Sequence, residues 1–343
     1  MPDISVIIPS YNHAPYIGDA VESVFSQSYT DFELIVVDDG STDNSLEVLS
    51  GFSDPRLKIL TQPNQGAHAA INRGLRAATG EYLAILNSDD RYHSLRLEKI
   101  IKVLIADRQV GLVGSYIDII DQDGKSLGIK HGYADSSPWL LEAPERSFRA
   151  GKDLHKALLT ENYWSTTSNF VFPRRWFEAV GEFRPLRYAH DWDFALRMAS
   201  VARMELLPEV LLQYRVHASN TIREDRAAMI FEICWCLAMH LPVHLAERAF
   251  ADIFAAPLVD ELLHSIYTFG LERVLSVMLL QRLTENPSQA LALLAPDHPV
   301  RATYLAFIQR ELTKTRAISP PSQPKPQAGF FERVLSRLRK KAL

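Results

Sequence analysis

GEYLAILNSDD, residues 80–90, decides how the chain folds. Residues 82–86 are an apolar run of strand length that stops abruptly at Asn87, Ser88, Asp89 and Asp90. An uninterrupted apolar run suits a strand buried on both faces of a parallel sheet, so the two carboxylates fall at its carboxyl edge. Ligands of open α/β sheets bind at that edge. Adjacent carboxylates repel one another and are costly to desolvate. A hard divalent cation carrying an anionic ligand such as a diphosphate relieves both problems. Ser88, Asp89 and Asp90 are equally suited to cap a helix over residues 95–104. Taken alone, the stretch leaves metal site and helix cap open.

The same plan repeats on either side. Residues 4–8, 32–37 and 57–60 are apolar strand-like runs, each followed by a polar turn and a helical pattern (16–25, from 46 onward, and 67–78). Strands alternating with helices predict an α/β fold, a mostly parallel central sheet flanked by helices. Residues 110–120 read as another strand, and Asp121-Gln122-Asp123-Gly124 as a hairpin turn returning toward 127–130, so the sheet turns mixed there. Residues 132–152, irregular and rich in Pro, Ser and charge, read as a surface loop bordering a substrate cleft. A strand over 166–172, helices over 174–180 and 190–200, and closing strands at 204–207 and 210–216 complete a first domain, residues 1–222.

Beyond it the character changes. Residues 227–250, 258–283 and 290–313 are Ala- and Leu-rich and of helix length, which predicts a C-terminal helical appendage over 223–317. Four prolines mark residues 318–328 as a linker. In 329–343, Phe330, Phe331, Val334, Leu335 and Leu338 share a helical face, and Arg333, Arg337, Arg339, Lys340 and Lys341 supply charge. Such a tail suits contact with an anionic membrane surface, and equally a docked partner or a solvated helix.

With 343 residues, 47% of them hydrophobic, the chain has ample core material. Lys+Arg 37 against Asp+Glu 41 leaves a net charge of -4, which argues for no nucleic acid partner. Cys234 and Cys236, two apart on a helix, point to different faces, so no mutual disulfide and a reducing compartment are expected. The fold begins at Ile4 with no signal-like segment, and no apolar stretch is long enough to span a bilayer. The expected location is cytoplasmic, with the tail offering peripheral attachment to the inner face of the cytoplasmic membrane.

ISVIIPSYN (4–12), VVDDGSTD (36–43), NQG (64–66), INRGL (71–75), LNSDD (86–90) and DWDFALRMA (191–199) occur in the order found in family 2 inverting glycosyltransferases. The chain resembles that family over residues 3–220. The resemblance implies a GT-A (nucleotide-diphospho-sugar transferase) fold, a nucleotide-sugar donor with a UDP-sugar favoured, a glycan or lipid-linked glycan acceptor, and Mn²⁺ or Mg²⁺. It implies that Pro9, Tyr11, Asn12 and Asp39 floor the nucleoside, with Asp39 accepting from uracil or ribose. Asn64, Gly66 and Asn72 then border the donor, as do Asn87 and Ser88. Asp89 is the expected metal ligand, and Asp90 ligates beside it or orients it. His217, in the closing segment 214–217, is a third ligand or a diphosphate contact, and a basic side chain of that segment approaches the diphosphate. Asp191 aligns with the family's base; one base with no nucleophile implies inversion. Plain turns remain open for 38–43 and 64–66, and an N-cap role for Asp191.

The chain departs from the pattern in three places. Ile71 stands where an arginine is common, Asn87 where the metal motif usually opens with Asp, and His190 where an acid often precedes the base. Trp192 stacks on a sugar or fills core, Asp193 faces solvent or caps, and Arg197 pairs with a nearby carboxylate. The leading expectation is thus a metal-dependent inverting glycosyltransferase of cell-surface polysaccharide synthesis. Asn87 and Ile71 motivate a second reading, a non-catalytic nucleotide-sugar or glycan-binding subunit. A nucleotidyltransferase is disfavoured by the lack of a glycine- and basic-rich phosphate loop near the amino terminus.

Overall fold

Nine strands carry the apolar runs in the computed structural model, which describes residues 2–132, 158, 162–218, 220, 224–245 and 290–317. They are β1 (Ile4–Ser10), β2 (Phe32–Asp38), β3 (Leu57–Thr61), β4 (Tyr82–Ile85), β5 (Arg91–Tyr92), β6 (Val110–Ile120), β7 (Ser126–Lys130), β8 (Val171–Pro173) and β9 (Arg203–Arg215). The helices are α1 (Ile17–Phe25), α2 (Ser45–Ser50), α3 (Ala67–Ala77), α4 (Arg96–Ala106), α5 (Arg174–Val180), α6 (His190–Ala199), α7 (Arg226–Leu245) and α8 (Pro299–Ala317). One sheet runs in the order β3-β2-β1-β4-β8-β6-β9-β5, with β7 on β6.

Strand direction decides what meets at each edge. β1 is parallel to β2 and β4, and β2 to β3, as the strand-helix alternation predicts. β8 is antiparallel to both β4 and β6, so β6 runs with β4 again, and β9 is parallel to β6. The carboxyl ends of β1, β2, β4, β6 and β9 therefore share one edge. Every residue of β1, β2 and β4 is buried, which explains their unbroken apolar runs. α1 buries Ile17, Ala20, Val21 and Val24, the i, i+3, i+4, i+7 stripe of a helix lying on a core. Gly80 lets β4 enter beside β1: a Cβ there would stand 2.7 Å from the backbone of Ile4 and Ser5.

Two expectations needed correction. Residues 166–172 are not one strand. Thr166 accepts a bond from the Ser168 N–H and caps a short 3₁₀ turn, Thr167–Asn169, so β8 starts only at Val171. The two closing strands are one, β9, which carries register shifts where it passes Ser115 to Ile117.

The chain divides into two units, Met1–Gly132 with Trp164–Ala218, and Tyr133–Tyr163 with Ser219–Leu343. Within the second unit α7 and α8 pack together: Phe231 meets Tyr304 at 6.1 Å and the Arg301 guanidinium lies 5.5 Å from the Phe231 ring. The indole of Trp235 donates to the Ala290 carbonyl at 2.9 Å. Cys234 and Cys236 are buried and are not joined to each other by a disulfide. Most of the expected cleft loop 132–152, the helix over 258–283, the linker and the tail lie outside the described residues. Among the described residues no helix is long and apolar enough to cross a membrane.

At the amino-terminal edge, Glu33 is buried among donors: Lys58 Nζ (2.6 Å), Ser5 Oγ (2.7 Å), and the Thr79 N–H and hydroxyl (both 2.6 Å). Burial alone would raise its pKa, but the bonds from Lys58, Thr79 and Ser5 outweigh it and bring the carboxyl down to about 2. A depressed carboxyl stabilises the fold above its unfolded value and loses that contribution as pH falls through the folded one. Glu33→Gln is therefore expected to lower the urea midpoint at pH 7. Its deficit against the parent should shrink between pH 4.5 and about 2, as chemical denaturation over that range will show.

Candidate active site

The shared carboxyl edge gathers side chains from strands far apart in the chain. Asp89 follows β4, His217 follows β9 and His13 follows β1, and one ligand atom from each lies within 4.8 Å of the other two. His217 Nε2 and Asp89 Oδ2 are 3.0 Å apart, and both side chains are buried. The rings of His13 and His217 meet edge to face at 5.6 Å, with Tyr16 4.9 Å from His217. His13 Nδ1 is 2.7 Å from Ser88 Oγ. Donors bound at about 2.0–2.2 Å from one ion lie no more than about 4.4 Å apart, so a small closure brings this set around a divalent cation. One carboxylate and two imidazoles are a suitable donor set for such an ion.

Asp89 and Asp90 are adjacent yet opposite in character. Burial pushes the Asp89 carboxyl up, but the His217 bond and the His13 charge outweigh it, holding it below the ordinary carboxylate range. Burial and the Asp89 charge drive Asp90 well above that range, against the weaker pull of Ser168 and Arg215. The Asp90 carboxyl faces inward. It is fully buried, its Oδ2 bonded to Ser168 Oγ at 2.5 Å and its Oδ1 to the Arg215 N–H at 2.9 Å, which leaves it behind the ligands.

Arg215 does not extend toward a diphosphate as the closing segment suggested. Its side chain is buried, and its guanidinium donates to the carbonyls of Asp89 (2.9 Å) and Gln122 (2.7 Å) and to Asp19 Oδ2 (3.1 Å). It ties the ends of β4, β6 and β9 together. Asn87 is likewise spent on the protein: its Nδ2 donates to Thr166 Oγ1 (3.0 Å) and its Oδ1 accepts from Thr167 Oγ1 (2.9 Å). The unexpected 3₁₀ turn is what supplies these partners.

Asp39 clamps the loop after β3. Its Oδ1 accepts from Gln62 Nε2 (2.7 Å) and the Gln65 N–H (2.9 Å), and its Oδ2 from the Gly66 N–H (2.7 Å). Three of about four acceptor positions are thus internal. Gly66 turns at φ 92°, a left-handed value that favours glycine, and opens α3. Asn12 is also left-handed, φ 53°, and its Oδ1 accepts from the Thr42 N–H at 2.7 Å. Pro9 is buried in β1, Asn64 is exposed, and Tyr11 presents its ring at the edge, 44% exposed.

Asn72, expected beside the donor, is corrected to a scaffold role: its amide pairs with the N–H and carbonyl of Phe183, both at 2.8 Å. Phe183 stacks on Phe194 of α6, ring centroids 4.1 Å apart and planes 5° from parallel. Asn72 thereby docks α3 to the helix that carries Asp191.

Asp191 sits in the first turn of α6, 8% exposed, its Oδ1 accepting from the Trp192 N–H at 2.7 Å. Carboxylates are favoured at a helix amino terminus. Asp193, expected at the surface, is fully buried because Arg184 (2.8 Å) and Arg197 (2.9 Å) both pair with it. His68, at the start of α3, is pushed below the ordinary histidine range by burial and then by His190, with Asp39 opposing. The amino end of α6 and the Asp39 loop thus both border His68. His13 was missed as a site residue because it has no local signature, and the tie of Arg215 to Asp89 was not foreseen because it spans 126 positions.

The family described as Glycosyl transferase family 2 matches residues 5–181. An uncharacterised glycosyltransferase of Nostoc sp. is 33% identical over 225 residues, 63% of this chain and 66% of that protein. A chondroitin synthase of Pasteurella multocida is 29% identical over 223 residues, 64% of this chain and 21% of the synthase. The chain thus spans slightly under two thirds of the first relative and about a fifth of the second. A Staphylococcus aureus TarS structure, residues 1–349 with UDP-GlcNAc, superposes with a TM-score of 0.53 at 16% identity, covering 84% of this chain and 92% of that one. The likeness confirms the fold expected above: a GT-A sheet with helices, followed by a helical region.

Because burial and the Asp89 charge drive the Asp90 carboxyl well above the ordinary range, Asn is its closest substitute. Asp90→Asn keeps an acceptor for the Arg215 N–H and is expected to cost under about 1 kcal/mol in a urea titration at pH 7. Asp90→Ala strands that N–H and the Ser168 hydroxyl, at about 1–3 kcal/mol each. A raised carboxyl contributes stability at low pH that is lost as pH rises through its folded value, so Asp90→Asn should also flatten the pH dependence.

Proposed function

This chain belongs to glycosyl transferase family 2, and on that premise we propose that it is a metal-dependent inverting transferase acting on a nucleoside-diphosphate sugar. That it is a glycosyltransferase follows from the family; the metal, the stereochemistry and the acceptor are our reading. The observation that carries the reading is the convergence of Asp89, His217 and His13 from three strand ends on one sheet edge.

Asp89 and His217 would hold a divalent cation, Mn²⁺ or Mg²⁺, with His13 beside them. When bound, the ion neutralises the charge that builds on the departing diphosphate. Tyr11 and the loop that Asp39 clamps to Gln65 and Gly66 would receive the nucleoside. The staphylococcal structure was solved with UDP-GlcNAc, so a UDP-sugar is the donor to try first.

Asp191 would take the proton from the attacking acceptor hydroxyl as its oxygen bonds to the anomeric carbon and the nucleoside diphosphate leaves. A single displacement with a base and no nucleophile inverts that carbon. The Asn72–Phe183–Phe194 stack holds the helix that carries Asp191 in place. A hydroxyl of a glycan or lipid-linked glycan is the proposed acceptor, in cell-surface polysaccharide synthesis.

Incubation with Mn²⁺ and a panel of UDP-sugars tests this. Nucleoside diphosphate release coupled to transfer is expected, and Asp191→Asn should lower kcat roughly 10²- to 10⁴-fold with donor affinity nearly unchanged. Donor binding with no release by the parent protein would instead favour a non-catalytic binding subunit.

A further inference from the structure

The metal motif of this chain has lost a carboxylate and kept a histidine that the sequence pattern does not explain. Asn87 carries no charge, and both ends of its amide are engaged by Thr166 and Thr167. Asp90 is turned into the protein, both of its carboxyl oxygens bonded there, to Ser168 Oγ and the Arg215 N–H. Of the polar motif 87–90, Asp89 therefore supplies the carboxylate that faces His217. His13 stands beside it: one of its ring nitrogens lies within 4.8 Å of a carboxylate oxygen of Asp89 and a ring nitrogen of His217, and its Nδ1 is 2.7 Å from Ser88 Oγ, which would leave Nε2 for the ion. Histidines that bind metals are commonly fixed in this manner, one nitrogen bonded to a neighbouring group and the other given to the ion.

We propose that His13 is a third protein ligand of the cation, and that the resulting set of two imidazoles and one carboxylate selects a transition-metal ion over Mg²⁺. The inference rests on the metal-dependent reading above and adds which ion the site takes. Imidazole nitrogen is a borderline donor that suits first-row transition metals, whereas Mg²⁺ demands an octahedron of oxygens and gives up its waters reluctantly. With a single protein oxygen, the site offers Mg²⁺ little that water does not. Three protein ligands also leave positions open for the oxygens of a donor diphosphate, as sites that must bind substrate require. The ring of His13 lies perpendicular to that of His217, so the two imidazoles approach from different directions without stacking on each other.

Calorimetric titration of the metal-free full chain with Co²⁺ and Mg²⁺, with no sugar donor present, reads the site without reference to turnover. The visible absorption of bound Co²⁺ gives a second readout of its ligands. The parent protein is expected to bind Co²⁺ at least about tenfold more tightly than Mg²⁺. His13→Ala should weaken Co²⁺ roughly ten- to a hundredfold, shift the Co²⁺ bands and leave Mg²⁺ almost unaffected. His13→Asn, which retains a polar group for Ser88, should behave in the same way and guards against a folding defect in the alanine variant. Equal affinities of the parent protein for the two ions would overturn the selectivity. Unaltered Co²⁺ affinity and bands in both His13 variants, with binding lost in Asp89→Asn, would remove His13 from the site and leave the metal-dependent transferase standing. Co²⁺ binding unaltered in Asp89→Asn as well would overturn both.

Discussion

A carboxylate buried at the end of a buried strand must be neutralised, and much of this molecule's architecture answers to Asp89. Its charge is met by His217 and His13, and its backbone carbonyl by Arg215. Those partners arrive from β9 and from the turn after β1, so the arrangement depends on β9 running in the same direction as β4. The antiparallel insertion of β8 makes that possible, since two reversals restore the original direction. The same insertion brings the Thr166–Ser168 turn to the edge, where it fixes Asn87 and Asp90.

The divided fates of Asp89 and Asp90 follow from one electrostatic fact. Like charges on neighbouring buried residues oppose one another, so Asp89, bonded to His217, is held below the ordinary carboxylate range while Asp90 is driven well above it. Asp90 then serves as a fixed prop between Ser168 and the start of the 215–217 segment. Environments that drive paired acids apart in this way are a recurring means of giving similar side chains different tasks.

Much of the fold was legible because its signals are local. The strands β1, β2 and β4 announce themselves as apolar runs, and Asn12, Gly66 and the 121–124 turn lie where turn chemistry predicts them. Asp89 and His217 were legible as a pair only through the resemblance, since 128 positions separate them. His13 has no neighbouring pattern to mark it, and only the return of β9 reveals what it faces. Asn72 and Asp193 were misplaced for the same reason. Each meets partners set by tertiary packing, Phe183 for one and two arginines for the other, and helical periodicity carries no information about either. The 3₁₀ turn at Thr167–Asn169 was read as strand because Thr and Phe favour extended backbone, while the side-chain cap at Thr166 overrode that preference.

The central claim is that one cation and one sugar donor meet at the edge where β1, β4 and β9 end. A crystal of the protein grown with Mn²⁺ and UDP, with anomalous diffraction recorded at the manganese edge, tests it most directly. A single strong peak is expected within bonding distance of Asp89 and His217, with the diphosphate completing its shell. A manganese peak elsewhere, or UDP bound at this edge with none beside Asp89, would contradict it.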